Sequence, residues 1–284
     1  MRLLLVVVSL SLASAEEYSP INRNYHEEIG IPEARRIKLA EKSVDFDGAR
    51  ITGGQNSWLG YQPHVGGLLI DLTVNMQSVC GSSLISRTRL VTAAHCWRHG
   101  NFHGRQLTVV LGSVRLFSGG IRQLTDRVTM HPNYREQHLH NDLAVIAINQ
   151  VALNNAVNPI RIPSGNNNYA GAWATAAGFG RTEEGGMISM TQVLSYVNLQ
   201  VITNEACARV FGTDAIIAST LCTATTNGRS TCGGDSGGPL AIGTDANREL
   251  IGIVSFNHVE GCTRGHPAGF ARITSFAAWI RSHL

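Results

Sequence analysis

The stretch Thr231-Cys232-Gly233-Gly234-Asp235-Ser236-Gly237-Gly238-Pro239 is built like a nucleophile loop. Glycines on both sides of Ser236 let the backbone turn tightly and approach a bound molecule closely. N–H groups in such a turn converge on one point and hold a developing oxyanion. A serine hydroxyl is a weak nucleophile and needs an adjacent base. Leu90-Val91-Thr92-Ala93-Ala94-His95-Cys96 offers His95 as that base, and Asn141-Asp142-Leu143-Ala144-Val145 offers a carboxylate to orient it. The chemistry of such a set is acyl transfer through Ser236. His131, His138 and His140 also lie near Asp142 in sequence, but only His95 has the Ala-Ala-His-Cys setting.

The order His95, Asp142, Ser236 and the three surrounding motifs resemble the secreted chymotrypsin/trypsin-like serine proteases, from about Ile51 to Leu284. In detail the chain looks most like the digestive chymotrypsin-like enzymes of arthropods. The roles below are those of the worked triad of this same family. The resemblance implies that Ser236 attacks the scissile carbonyl, His95 moves the proton and buried Asp142 orients the imidazole. Gly234 and Ser236 would donate the oxyanion-hole N–H groups. It also implies a zymogen junction in Gly48-Ala49-Arg50 followed by Ile51-Thr52-Gly53-Gly54. Cleavage after Arg50 by a trypsin-like enzyme would free the Ile51 amine to pair with Asp235.

The elements that must hold these residues are β-strands. Apolar runs between turn signals mark Val65–Ile70, Ser83–Ile85, Leu107–Leu111, Leu143–Ile148, Trp173–Ala176, Leu194–Val201 and Leu250–Phe256. Their number, without alternating helices, predicts an all-β fold, and periodicity leaves sandwich and barrel both open. The resemblance implies two antiparallel six-stranded β-barrels with the active site in the cleft between them. His95 and Asp142 would come from the first and Ser236 from the second. A C-terminal α-helix is expected, capped by Thr274 or Ser275, with Phe276, Trp279 and Ile280 on one face.

Three sections follow from composition. Residues 1–15 read as a signal peptide: Arg2, an apolar core from Leu3 to Leu12, and Ala13-Ser14-Ala15 as the cleavage site. The apolar run falls short of the roughly 20 residues that span a bilayer. Residues 16–50 form an activation propeptide with eight acidic and six basic residues and little hydrophobic periodicity. Such a segment does not bury a core by itself. It has no cysteine to tether it, so it is expected to be lost after cutting. Residues 51–284 form the protease domain and hold all six cysteines. Six cysteines allow fifteen pairings. The family pattern picks Cys80–Cys96, Cys207–Cys222 and Cys232–Cys262. Their wide spacing argues against zinc.

Alignment on Cys232 puts Ser230 at the base of the primary specificity pocket. A neutral serine there leaves a cationic substrate side chain buried without a partner. Ser255, Phe256 and Asn257 are expected to form one wall and an extended edge that pairs with substrate backbone, with Ala268 on another wall. Asn257 and Ala268 are larger than glycine and narrow the pocket. A broad apolar, chymotrypsin-like preference is expected, with an elastase-like preference for small side chains as the alternative. A catalytically inactive homologue acting as a binding protein is the rival from outside the enzymes, and a cascade protease a further one.

The segment 51–284 has sixteen arginines, no lysine and twelve acidic residues, a net of +4. The arginines are scattered, so nucleic acid is not an expected partner. Arginine keeps its charge where lysine loses it, which suits a secreted protein in an alkaline gut lumen. No cofactor or metal is expected. The stretch Leu111 to Thr129 has one acid, Asp126, too few for calcium. The expected partners are protein or peptide substrates, an activating protease and protein protease inhibitors, with no membrane, and the enzyme itself a monomer.

Overall fold

The computed structural model describes residues 20–22, 24–42, 55–181 and 193–284. The leader 1–15, Arg50 and Ile51 lie outside the described residues. Among the described residues fifteen strands run in chain order. They are β1 (Gln55–Asn56), β2 (Val65–Leu72), β3 (Gln77–Ser86), β4 (Arg89–Thr92), β5 (Arg98–His99), β6 (Phe102–Leu111), β7 (Ile121–Thr125), β8 (Val128–Met130) and β9 (Ala144–Ala147) in the first half. The second half adds β10 (Trp173–Gly178), β11 (Ser195–Ile202), β12 (Thr220–Thr223), β13 (Pro239–Ile242), β14 (Glu249–Phe256) and β15 (Ala268–Arg272). All pairings between strands are antiparallel.

The second-half sheet runs β11-β10-β13-β14-β15-β12 and closes on itself through β11–β12, a six-stranded barrel with β1 added at its edge. The first sheet runs β5-β6-β2-β3-β4-β9-β8 with β7 on β6, and it curls into a half-barrel without closing. The expected pair of barrel-like antiparallel sheets is present, the second closed with six strands and the first an open curl of eight. Each expected strand run lies within or overlaps an observed strand; most observed strands extend further, while β9 is shorter than the run Leu143–Ile148. In β3, for example, polar Ser78, Ser82 and Ser83 are fully buried beside Val79 and Leu84. Alternation of apolar and polar types therefore does not reveal the whole strand.

Three α-helices are described: α1 (Ile31–Lys42), α2 (Asn204–Phe211) and α3 (Ile273–Arg281). Helix α2 starts on Thr203, whose hydroxyl accepts the N–H of Ala206 at 3.2 Å. Helix α3 buries Phe276 and Ile280 as expected, but its start differs. The cap position is Arg272, with no side-chain cap, and Thr274 and Ser275 lie in the first turn. Arg272 is held instead by the carbonyls of Ala218, Asn168 and Thr220, which anchor the strand feeding the helix.

Helix α1 corrects the reading of residues 16–50. A wider helical turn, His26–Gly30, leads into it. Ile31, Ala34, Ile37 and Ala40 recur every three residues and are all buried. Ala34 and Ile37 join one apolar cluster with Leu69 and Val79 of the first half and Phe179 and Leu194 of the second. The segment has too little apolar surface to make a core alone, and it completes a core that the two halves leave open.

Candidate active site

His95 sits in a single tight turn, Ala94–Cys96, directly after β4. Asp142 precedes β9, held by Asn141 in the left-handed region at φ 53°. Asparagine tolerates that conformation, and its side chain is fixed on the carbonyl of Asn133 at 2.9 Å. The loop between β12 and β13 carries Ser236. Gly234 and Gly237 there have φ +96° and +80°. A Cβ on Gly237 would lie 2.2 Å from Thr92 Oγ1 and 2.5 Å from the Gly81 carbonyl, so only glycine brings this loop onto β3. The Gly81 N–H then donates to the Ser236 carbonyl at 2.6 Å, tying the second half to the first.

The buried Asp142 carboxylate receives three hydrogen bonds. They come from the His95 N–H at 2.9 Å, His95 Nδ1 at 2.7 Å and the Ser255 hydroxyl at 2.6 Å. Burial pushes this carboxyl up, but the His95 charge and these bonds together hold it below the usual carboxylate range. The imidazole is thereby fixed with Nε2 as its free nitrogen, the geometry a general base needs. Cys80–Cys96 staples this turn to β3, and Cys232–Cys262 ties the Ser236 loop to the stretch after β14. Cys207–Cys222 joins α2 to β12. The three expected pairings are the ones observed, and the six sulfurs are therefore no metal ligands.

Ser236 and His95 are brought together at the cleft, but a third residue stands with them. The Tyr25 ring meets the His95 ring edge-on, with centroids 4.6 Å apart. Its hydroxyl donates to the Val79 carbonyl at 2.7 Å, and Tyr25 and Ser236 line the same cavity. A cavity of about 210 Å3 over the site is lined by His95, Ser236, Ser255, Phe256 and Asn257 from the barrels and by Tyr25 and Ile29 from the leading segment.

The expected pocket residues fall in two places. Asn257 Nδ2 donates to the Thr231 carbonyl at 3.0 Å and reaches Ser230 Oγ at 3.5 Å, bridging the β14 edge to the loop before Cys232. Ser230 lines a separate cavity of about 40 Å3, shared with Asp235 and Arg181. Ala268 is fully buried in β15 opposite Thr223, and Phe256 packs over Gly269 and Phe211. Asp235 accepts N–H groups from Gly180 at 2.8 Å and Cys232 at 2.9 Å. Burial nevertheless pushes its carboxyl up to about 6.

The described hydrogen bonds to Asp142 come from His95 and Ser255, and His138 packs on His140. His140 Nε2 contacts the Asp214 carbonyl at 2.7 Å, while His131 packs on Phe276 and Trp279. Sequence reasoning missed Tyr25, His26, Glu33, His99 and Arg181. The spacing of Ile31, Ala34 and Ile37 was the available signal, because it marks a helix with one buried stripe beside them.

A nucleophile loop from one barrel facing a carboxylate-held imidazole from the other defines a serine hydrolase built on paired β-barrels. The comparisons agree: the Trypsin family model matches residues 51–280, and the chain belongs to that family of serine proteases. It is 36% identical to a collagenase of Hypoderma lineatum over 82% of this chain and 87% of the relative. It is also 36% identical to serine protease 1 of Drosophila melanogaster, over 87% of this chain and 90% of the relative. A solved structure of HL collagenase superposes with TM-score 0.73 at 35% identity, covering 82% of this chain and 98% of its own. No described helix is long and apolar enough to cross a membrane.

Proposed function

We propose that the chain is the zymogen of a secreted serine endopeptidase, activated by a trypsin-like cut after Arg50, that hydrolyses peptide bonds after apolar residues. The observation that carries this reading is the Ser255–Asp142–His95 network beside Ser236. Ser236 Oγ attacks the peptide carbonyl as His95 Nε2 takes its proton. The N–H groups of Gly234 and Ser236 hold the oxyanion. The C–N bond breaks as His95 protonates the leaving amine. Water then enters by the same base and releases the acid, restoring Ser236.

Activation follows from Asp235. Burial pushes its enclosed carboxyl up to about 6, and a cation paired directly with it would hold it ionised. A new Ile51 amine would supply one. A group raised in the uncut state gives up its proton on pairing, so insertion weakens as pH falls below about 6. It weakens again above the ordinary α-amine value of about 8. The working window is therefore neutral to mildly alkaline, and lysine-free composition in 51–284 supports a digestive fluid on the alkaline side. The edge Ser255–Asn257 would take substrates and protein inhibitors as an added strand.

The neutral Ser230 supports apolar specificity, and the Asn257 bridge favours the smaller members of that class. The test is kcat/KM on peptides differing only in the residue before the scissile bond. Phe or Leu exceeding Arg by at least about 100-fold is expected, since an unpaired buried cation costs several kcal/mol. Ala as the best substrate would select the elastase-like reading. Arg as the best would refute the placement of Ser230, and no turnover on any after verified cleavage would favour an inactive homologue.

A further inference from the structure

Residues 20–42 cross the whole cleft. At one end Ile21 pairs with His258 in an antiparallel bridge, and the Val259 N–H donates to the Pro20 carbonyl at 3.0 Å. Ile21 is buried with Leu139, Phe211 and Phe256. In the middle the Tyr25 ring packs edge-on against His95, and its N–H donates to His99 Nδ1 at 3.2 Å. His26 Nδ1 meets Ser78 Oγ at 2.8 Å. Gly30 presses against β3 so closely that a Cβ would lie 2.0 Å from Ser78 Oγ. At the far end Glu41 accepts the N–H groups of Leu116 at 2.6 Å and Phe117 at 3.0 Å.

The segment also holds the loop that must form the oxyanion hole. Ile29 abuts Gly233, and the Glu33 side chain lies against Gly233 and Gly234. Glu33 is fully buried and carries two guanidinium partners, Arg36 at 2.5 Å and Arg181 in direct contact. A carboxylate buried this deeply needs both. The segment places the Tyr25 ring against His95 in the cavity that Ser236 also lines, so the cleft is filled by a group the enzyme does not cleave.

None of these contacts passes through Arg50, and cutting there removes none of them. The lack of a cysteine points to release, while the buried contacts point the other way. We propose that residues 20–42 are an inhibitor of the chain's own cleft that remains bound after cleavage at Arg50 and delays activity until it dissociates. The proposal rests on the activation site named above, and it goes beyond that reading by making activation two steps, cutting and unplugging.

The test uses full-length zymogen, as wild type, Tyr25→Ala and Glu33→Gln, cut by limited trypsin with cleavage at Arg50 verified by mass. All three yield the same mature chain. Gel filtration followed by mass spectrometry reads whether the segment stays with the enzyme, and peptide hydrolysis is measured before and after 100-fold dilution. The expected result is co-elution in the wild type, with activity per cut chain rising about tenfold or more on dilution, as mass action requires. The variants should release the segment and show full activity at once. Free elution of the wild-type segment with activity in step with cutting overturns the proposal. So does equal retention in all three proteins. Retention in the wild type and release in the variants without activity in any would uphold the plug while refuting the hydrolase reading.

Discussion

Glu33→Gln should loosen helix α1 while leaving both barrels unchanged. The Glu33 side chain is fully buried, whereas its partners retain access to water, Arg36 at 14% and Arg181 at 32% exposure. Removing one member of a fully buried pair costs about 3–5 kcal/mol, because the other charge is left uncompensated. Partial hydration of both guanidinium groups and the amide oxygen that Gln retains reduce this to about 2–3 kcal/mol. That is about a 30- to 150-fold increase in the equilibrium constant for local opening. Amide hydrogen exchange on the uncut protein reads it directly: Ala34, Ile37 and Ala40 should lose that much protection. Amides of β2 and β14 should not change. A loss under about threefold across α1 would refute the reasoning, since the ion pair would then contribute no more than an exposed surface pair.

Two further outcomes follow from the same geometry. Ser255→Ala removes the 2.6 Å bond to Asp142 and leaves two donors from His95. A hydrogen bond to a charged group contributes about 1.5–3 kcal/mol, so kcat/KM of the cut enzyme should fall about 10- to 100-fold. Asp142 titrates higher without that donor, and the acid limb of the pH profile should move up; an unmoved limb would count against the network. His26 is held down to about 3 by burial and by the nearby charges of His95 and His99, with Tyr25 on its other side. A histidine depressed in the bound state contributes binding that is complete above its free value and is lost as pH falls. Against an ordinary value of about 6.5, segment retention should be about 30-fold weaker at pH 5 than at pH 7.5. Equal retention at both values, measured by gel filtration of the cut zymogen, would show that His26 stays neutral outside the cleft as well.

The candidate catalytic residues were legible because the chemistry they suggest depends on local context. Ser236 needs glycines on both sides for close approach, and His95 and Asp142 sit in short stretches that the barrels can bury. Ser255 was legible as a wall residue, but its bond to Asp142 was not. That bond joins residues 113 apart in the chain, and no local pattern encodes such a distance. The same holds for Asn257, whose amide bridges to Thr231 and places Ser230 beside Asp235 instead of on the cleft cavity. Helix α3 kept its expected face and lost its expected cap, because Arg272 is anchored by three carbonyls from residues distant in the chain.

Sequence alone determined the class of chemistry, the family, an all-β fold and a neutral residue at position 230. Each rests on residue type and order, which folding does not alter. The role of residues 20–42 was decided by tertiary structure. Read alone, that segment is charged and poor in apolar surface, and nothing local says where it lies. Only when the two barrels leave an apolar gap at Leu69, Val79, Phe179 and Leu194 does the stripe Ala34–Ile37 find a place to be buried. Burying it there carries Tyr25 onto His95 in the cavity that Ser236 also lines, a consequence of which surfaces meet and not of any motif.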